Sequence, residues 1–165
     1  MSVQINYKKN SPKNPSANLI LFVNENFNIS GLKKYISNTE FSYIFDLLKT
    51  SDLKKNLLFF EINSKKTIFL VSIKKGLKTF DIESLGAKFH SYIDYHKKNE
   101  YFINLETINS TIENFVGYFL HGLKLKSYEF NIYKSKKNKR LVNINVIGNK
   151  NKLSSHNQLR FKALE

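Results

Sequence analysis

Hydrophobic and polar positions change period several times along the chain, and each change marks an element. Val3, Ile5 and Tyr7 alternate with polar residues, the period-two pattern of a half-buried strand. Lys8–Asn18 follows and holds both prolines, so it reads as a turn or loop. Leu19–Val23 is a continuous apolar run, as in a strand covered on both faces. Ser30 can cap a helix opening near Gly31. From there Leu32, Tyr35, Ile36, Ile44, Leu47 and Leu48 recur at steps of three and four, with Phe41 close to the same stripe. One long helix, or two with a break near Ser37–Thr39, satisfies that spacing.

Leu57–Ile62 and Thr67–Ile73 are strand-like runs joined by the polar link Asn63–Lys66, which suits a hairpin. Gly76 opens a loop, and Asp81 is the expected cap of the next helix. Ile82, Leu85, Phe89, Tyr92, Ile93 and His96 lie along one face of that helix. Tyr101–Leu105 is another short strand. Ser110-Thr-Ile-Glu113 matches a capping box, in which Ser and Glu side chains each accept from the other residue's backbone N–H. Ile112, Phe115, Val116, Phe119 and Leu123 continue it as an apolar stripe. Lys134–Arg140 is a basic turn. In the last strand Val142, Ile144 and Val146 face one way. Leu141, Asn143, Asn145 and Ile147 face the other, where the asparagines predict a partly wet surface. Leu159, Phe161 and Leu164 in the tail Ser154–Glu165 are spaced like the start of a helix.

The predicted order is β-β-α-β-β-α-β-α-β. Strands that interleave with helices place the chain in the α/β class, with a mixed sheet of about six strands and helices on both faces. At 165 residues it is one domain by size, able to bury about 70% of the surface of the unfolded chain. The absence of cysteine rules out disulfides and thiolate metal sites. The start MSVQINYKKN has no apolar signal core, and no stretch reaches the roughly 18 apolar residues of a membrane span. The sequence is therefore read as cytoplasmic, with no membrane partner.

Charge changes the picture less than its size suggests. The formal net charge is +14, but almost all of it is lysine; the arginines are Arg140 and Arg160. Arginine, with its planar fork, is the usual reader of phosphates and guanines. Lys, Asn, Ile, Phe and Tyr crowd the chain, as they do in products of AT-rich genomes, so base composition competes with a selected binding surface. The run Lys134–Arg140 beside Tyr128, Phe130 and Tyr133 is still the composition expected of a strand-stacking surface, or of a solvated turn.

A catalytic constellation does not emerge. His90 and Asp94 are spaced i,i+4, but His96 points about 200° round the helix from Asp94, short of the three converging ligands a metal needs. His121 beside Gly122 reads as packing, and His156 stands in the tail. Asp46 and Asp52 carry no pattern of chemistry. The six glycines form neither G-x-G-x-x-G nor a P-loop, and no Ser lies in a G-x-S-x-G elbow. No catalytic, cofactor-binding or metal residue is nominated.

One segment does carry a resemblance. ENFVGYFLHGLKLKSYEFNIYKSKK resembles the helix of the leucyl (cytosol) aminopeptidase N-terminal domain, which ends in G-L-x-L-x-x-Y-x-F-x-x-Y-K. Gly122, Leu123, Leu125, Tyr128, Phe130, Tyr133 and Lys134 occupy those positions. LVNINVIG resembles that domain's last strand, and HNQLRFKALE resembles the helix leading into the catalytic domain. The chain departs from the family at SIKKG (Ser72–Gly76), where a G-x-G turn is common.

The resemblance implies a macro-domain-like fold over residues 1–150, with 151–165 starting the link to a C-terminal catalytic domain. It implies a metal-dependent exopeptidase whose two divalent ions (zinc, manganese or magnesium), catalytic lysine and arginine, and N-T-D-A-E-G-R motif belong to that absent domain. It further implies a hexamer, and DNA binding as in some bacterial members. The expected role is thus a non-catalytic domain that docks on its own catalytic domain and helps assembly or regulation, inactive alone. A basic nucleic-acid-binding module is the alternative. Macro-domain relatives bind ADP-ribose through glycine-rich loops, and the loops here are glycine-poor.

Overall fold

In the computed structural model, residues 2–8, 16–109, 112, 114–128 and 140–148 are described. They form strands β1 (Ser2–Lys8), β2 (Asn18–Asn24), β3 (Leu57–Glu61), β4 (Thr67–Ile73), β5 (Glu100–Asn104) and β6 (Leu141–Ile147). The helices are α1 (Asn38–Leu48), α2 (Thr79–His96) and α3 (Phe115–Ser127). One sheet runs in the order β1-β6-β5-β2-β4-β3; every neighbouring pair is parallel except β3–β4. The α/β class and the mixed sheet agree with the sequence pattern.

Period two explains the two cores. Ile20, Phe22, Phe69, Val71, Tyr101, Ile103, Val142, Ile144 and Val146 point to one face, where α2 and α3 bring Ile82, Phe89, Ile93, Phe119 and Leu123. Leu19, Leu21, Val23, Ile68 and Leu70 point to the other, under Leu32, Ile36, Ile44 and Leu48. Strands β2 and β4 are thus apolar on both sides, as a covered parallel sheet requires. On the first face, Phe22 meets Phe115 and Phe119 edge to face at 5.6 and 5.9 Å, a favoured arrangement of ring quadrupoles.

The first helical region is broken, as one of its two readings anticipated. Ser30–Lys34 is a short 3-10 segment, and Ser30 is not the expected cap: it is the first residue of the turn, the cap position is Ile29, and no side chain caps it. Ser37 then caps α1: its hydroxyl accepts from the Glu40 N–H, and Glu40 accepts from the Ser37 N–H. Two more expectations are corrected. Asp81 is not the cap of α2 but stands in its first turn, where its carboxylate accepts from the Lys78 N–H at 2.9 Å. An acid three residues inside the start satisfies an orphan donor while the cap position itself lies outside. Asn145 is not wet: it is 1% exposed, and its side-chain amide donates to Glu100 Oε1. Ser110, Glu113, Lys134 and the tail Ser154–Glu165 with His156 lie outside the described residues; α3 is described from Phe115.

At two glycines, helices α2 and α3 meet backbone to backbone. A Cβ on Gly86 would stand 1.9 Å from the Phe119 carbonyl oxygen, and one on Gly122 would stand 1.9 Å from the Glu83 carbonyl oxygen. Beside this contact His121 Nδ1 lies 2.8 Å from Glu83 Oε1. On the other face Lys66 Nζ and Glu40 Oε1 form a 2.6 Å ion pair with side chains only 8% and 14% exposed. Burial raises the Glu40 pKa, but the Lys66 hydrogen bond, the Ser37 N–H and the Lys66 charge outweigh it and hold the group below its ordinary value of 4.5.

Gly122→Ala and Gly86→Ala should each destabilise the domain by about 2–3 kcal/mol, although alanine favours a helix by about 1 kcal/mol. The obstructing atoms are backbone and cannot rotate away. Gly31→Ala, with nothing within 4 Å of its Cβ, should change stability by less than about 0.5 kcal/mol; urea unfolding of the three variants measures this. For the ion pair, Lys66→Met should cost about 3 kcal/mol, and adding Glu40→Leu should recover most of it. Because the Glu40 pKa is depressed on folding, its contribution is present above the ordinary value and lost as pH falls through the folded one. The melting-temperature gap between the unsubstituted chain and Glu40→Gln should therefore close as pH drops below 4.5.

Candidate functional site at the strand ends

In an open α/β sheet, ligands bind beyond the carboxyl ends of the strands where successive connections depart in opposite directions. Here β2 leads by way of α1 towards β3 and β4, while β5 leads through α3 to β6 on the other side. The switch point lies between β2 and β5.

Side chains of the chain itself occupy that place. Leu105–Thr107 forms a 3-10 turn directly after β5. The Thr107 hydroxyl donates to the Asn104 carbonyl at 2.8 Å and accepts the Phe22 N–H at 2.9 Å. It thereby takes a β2 donor that the ladder would otherwise leave open. Asn104 Oδ1 accepts from the Glu106 N–H, and Leu105 and Ile108 are buried. From the β2 side, Phe27 turns inward with φ 52° and is 3% exposed, followed by buried Ile29 and Leu32. Tyr35 Oη donates to Glu106 Oε2 at 3.3 Å across the switch point. Burial, then the Glu106 charge and hydrogen bond, raise the Tyr35 pKa. Gly148, at φ 118°, passes so close that a Cβ would lie 3.1 Å from Leu105 Cβ and 3.3 Å from Glu106 Cγ.

This arrangement is a plug with a carboxylate at its mouth. Glu106 would repel a phosphate there, and the Glu106 and Ile108 N–H groups of the turn are already given to Asn104 Oδ1 and the Leu105 carbonyl, not left open as in an anion-binding nest. The described part of the switch point therefore does not fit a nucleotide diphosphate.

The opposite strand ends hold a polar seal. Asn18 bridges two strands, its amide donating to the Glu100 carbonyl and its oxygen accepting the Thr67 N–H. Lys98 Nζ donates to Thr67 Oγ1 at 2.6 Å; burial lowers its pKa, and nearby Glu61 acts the other way. Arg140, from the run that sequence reasoning set against nucleic acid, is spent here. Its guanidinium donates to the Ile93 and Lys98 carbonyls and to Asn99 Oδ1, with Asp94 at 3.8 Å. Burial pushes the phenol of Tyr101 up to about 12, against the Arg140 charge. None of these contacts was legible in sequence, since each joins segments far apart in the chain.

The histidines go to separate partners. His96 Nδ1 lies 3.3 Å from Glu61 Oε1 among the rings of Phe59, Phe69 and Tyr95. His121 lies beside Glu83, and His90 is buried. Glu83 and His96 are thirteen positions apart on α2, roughly 20 Å along the helix, so the two pairs cannot act on one substrate atom. Among the described residues no three His, Asp or Glu side chains are placed to hold a metal. No helix among them is long and apolar enough to cross a membrane.

The chain matches no protein-family model and no curated protein sequence. Its fold, however, recurs among solved structures. A mutant tomato leucine aminopeptidase superposes with a TM-score of 0.61 at 16% identity, over 89% of this chain and 32% of that one. Cytosol aminopeptidase from Coxiella burnetii gives 0.53 at 11%, over 96% and 30%. The macrodomain of Thermus aquaticus DarG gives 0.55 at 10%, over 90% of this chain and 100% of that one. This chain thus spans about a third of the two aminopeptidases and the whole of the macrodomain. Two of these neighbours are aminopeptidases, the kind of protein that the Gly122–Lys134 run resembles. The chain has a macro-domain-like α/β fold.

Proposed function

We propose that this chain is a non-catalytic domain of a metal-dependent leucyl aminopeptidase, placed before its catalytic domain and serving assembly or regulation in the cytoplasm. The observation that carries the reading is the superposition of 89% of this chain on 32% of a leucine aminopeptidase, together with the Gly122–Lys134 run. Two residues of that run have physical work in the fold: Gly122 admits the Glu83 backbone, and Leu123 is 0% exposed. Two others do not, since Leu125 and Tyr128 are 59% and 76% exposed at the end of α3. An aromatic and a leucine left wet at one helix end suit contact with a neighbouring body, such as the catalytic domain or another subunit of a hexamer.

The described residues do not fit a pair of divalent ions, because they bring no three ligating side chains together. In this reading the two ions, and the removal of N-terminal residues such as leucine, belong to the other domain. The reading frame beyond the codon for Glu165 should encode a segment rich in metal ligands with the N-T-D-A-E-G-R motif. The purified 165-residue chain should release no p-nitroaniline from leucyl-p-nitroanilide with zinc, manganese or magnesium. Metal-dependent release by this chain, or a stop codon directly after Glu165, would defeat the proposal.

A further inference from the structure

The sheet ends in two edges, β1 and β3, and they are finished differently. On β1 the Val3 carbonyl accepts from Lys124 Nζ at 3.0 Å. On β3 the ladder fixes which backbone groups are left over. The Ile62 N–H donates to the Lys66 carbonyl, and the Ser72 N–H donates to the Asn56 carbonyl. Antiparallel pairs alternate between bonded and non-bonded, so Leu58 and Phe60 give their backbone groups to β4, while Leu57, Phe59 and Glu61 aim theirs away from the sheet. Tyr43 Oη donates to the Glu61 carbonyl at 3.4 Å. The N–H and C=O of Phe59 have no partner among the described residues. The strand LLFFE also carries neither the lysine nor the proline that blunts many edges. Instead the Phe59 ring, 38% exposed, packs on Tyr92 and His96 at 5.2 and 4.8 Å, and Tyr95, 79% exposed, stands against His96. Three exposed lysines frame this edge: Lys54 and Lys55 before the strand and Lys65 in the turn after it. The nearby acids are engaged within the chain, Glu61 with His96 Nδ1 at 3.3 Å and Asp52 with the Lys54 N–H.

We propose that the free edge of β3 is a docking site for an extended acidic segment of another protein, which adds to the sheet as a further strand. The residue opposite Phe59 exchanges both backbone hydrogen bonds with it, as in other strand additions. Its side chain falls on the same face as the Phe59 ring, beside Tyr95, so an apolar or aromatic residue fits there. Acidic residues four or five positions out on either side reach Lys54, Lys55 and Lys65. Charge selects this occupant over a second copy of the chain. A two-fold antiparallel pairing centred on Phe59 sets Lys54 opposite Ser64 and Lys55 opposite Asn63, which brings Lys65 of each copy beside Lys54 of the other. Like charges so placed oppose the pairing, on top of the formal +14 that each copy carries. The inference does not rest on the aminopeptidase reading, because the edge and its lysines belong to this chain alone.

The test is fluorescence anisotropy of the labelled, end-blocked peptide Asp-Glu-Thr-Thr-Val-Phe-Val-Thr-Thr-Glu-Asp with the full chain, at about 100 mM salt. Saturable binding is expected. The same peptide N-methylated at its phenylalanine and at the threonines two residues either side keeps every charge but loses the N–H groups that face β3, and should bind about 10-fold more weakly or less. Lys54→Gln with Lys55→Gln and Lys65→Gln should weaken binding about 5-fold. Phe59→Pro removes an outward N–H without taking a bond from β4, and should weaken binding more than Phe59→Ala, which keeps that N–H. Circular dichroism checks that the variants fold. Hydrogen exchange needs no variant: bound peptide should slow the Phe59 amide and leave those of Leu58 and Phe60, already bonded to β4, unchanged. No saturable binding overturns the proposal. So does an N-methylated peptide that binds as the parent does, or a Phe59 amide that exchanges as fast with peptide as without; either outcome would mean attraction of opposite charges alone. A dimer of the chain that Phe59→Pro abolishes would give the edge to a second copy and overturn the choice of occupant.

Discussion

The close approach of α2 and α3 is the constraint on which the packing of one whole sheet face depends. Two glycines, Gly86 and Gly122, each leave room for a carbonyl of the opposite helix. Only at that separation can Ile82, Phe89 and Ile93 of α2 and Phe119 and Leu123 of α3 share a single layer above β2, β5 and β6. Wider spacing would leave voids under the helices, and interiors lose contact energy where atoms lack partners. The His121–Glu83 pair closes the outer side of the same seam.

A fold held this way puts its chemistry-bearing side chains to structural use. Thr107 stops an open β2 donor, Asn18 and Lys98 close the lower ends of the central strands, and Arg140 ties β6 to the end of α2. Among the described residues, large apolar side chains left at the surface include Leu125 and Tyr128 at one end of α3 and Phe45 on α1. The likeness to aminopeptidases and to a macrodomain concerns this framework. In the described part of the switch point, side chains of the chain itself fill the place.

How much was legible depended on the range of the signal. Each strand announced itself through alternation or a continuous apolar run, because burial on one or two faces leaves a mark within five to seven residues. The stripes of α2 and α3 were equally plain. Caps were less so: Asp81 was visible as an acid at a helix start, yet its place inside the first turn follows from backbone geometry. Asn145 looked wet because sequence does not show Glu100 beside it, 45 residues away. The glycines were visible but their purpose was not, since a glycine does not name the backbone that will approach it. Phe41 was visible only as a residue close to an apolar stripe and Phe45 not at all; the lysines over their rings come from a preceding turn and a helix end.

The pairing of β1 with β6 has a consequence for the order in which the molecule can form. Ser2 lies opposite Leu141, and the register continues to Lys8 opposite Ile147. β1 is an edge strand with no other neighbour among the described strands, so it stays unpaired until β6, far along the chain, is in place. Closing so long a loop is entropically slow, and parallel pairing of distant segments is a feature of slow folders. During that wait Val3, Ile5 and Tyr7 are an unpaired apolar edge. The charged and polar residues between and around them, Gln4, Asn6 and Lys8, then act as gatekeepers against pairing with another nascent chain.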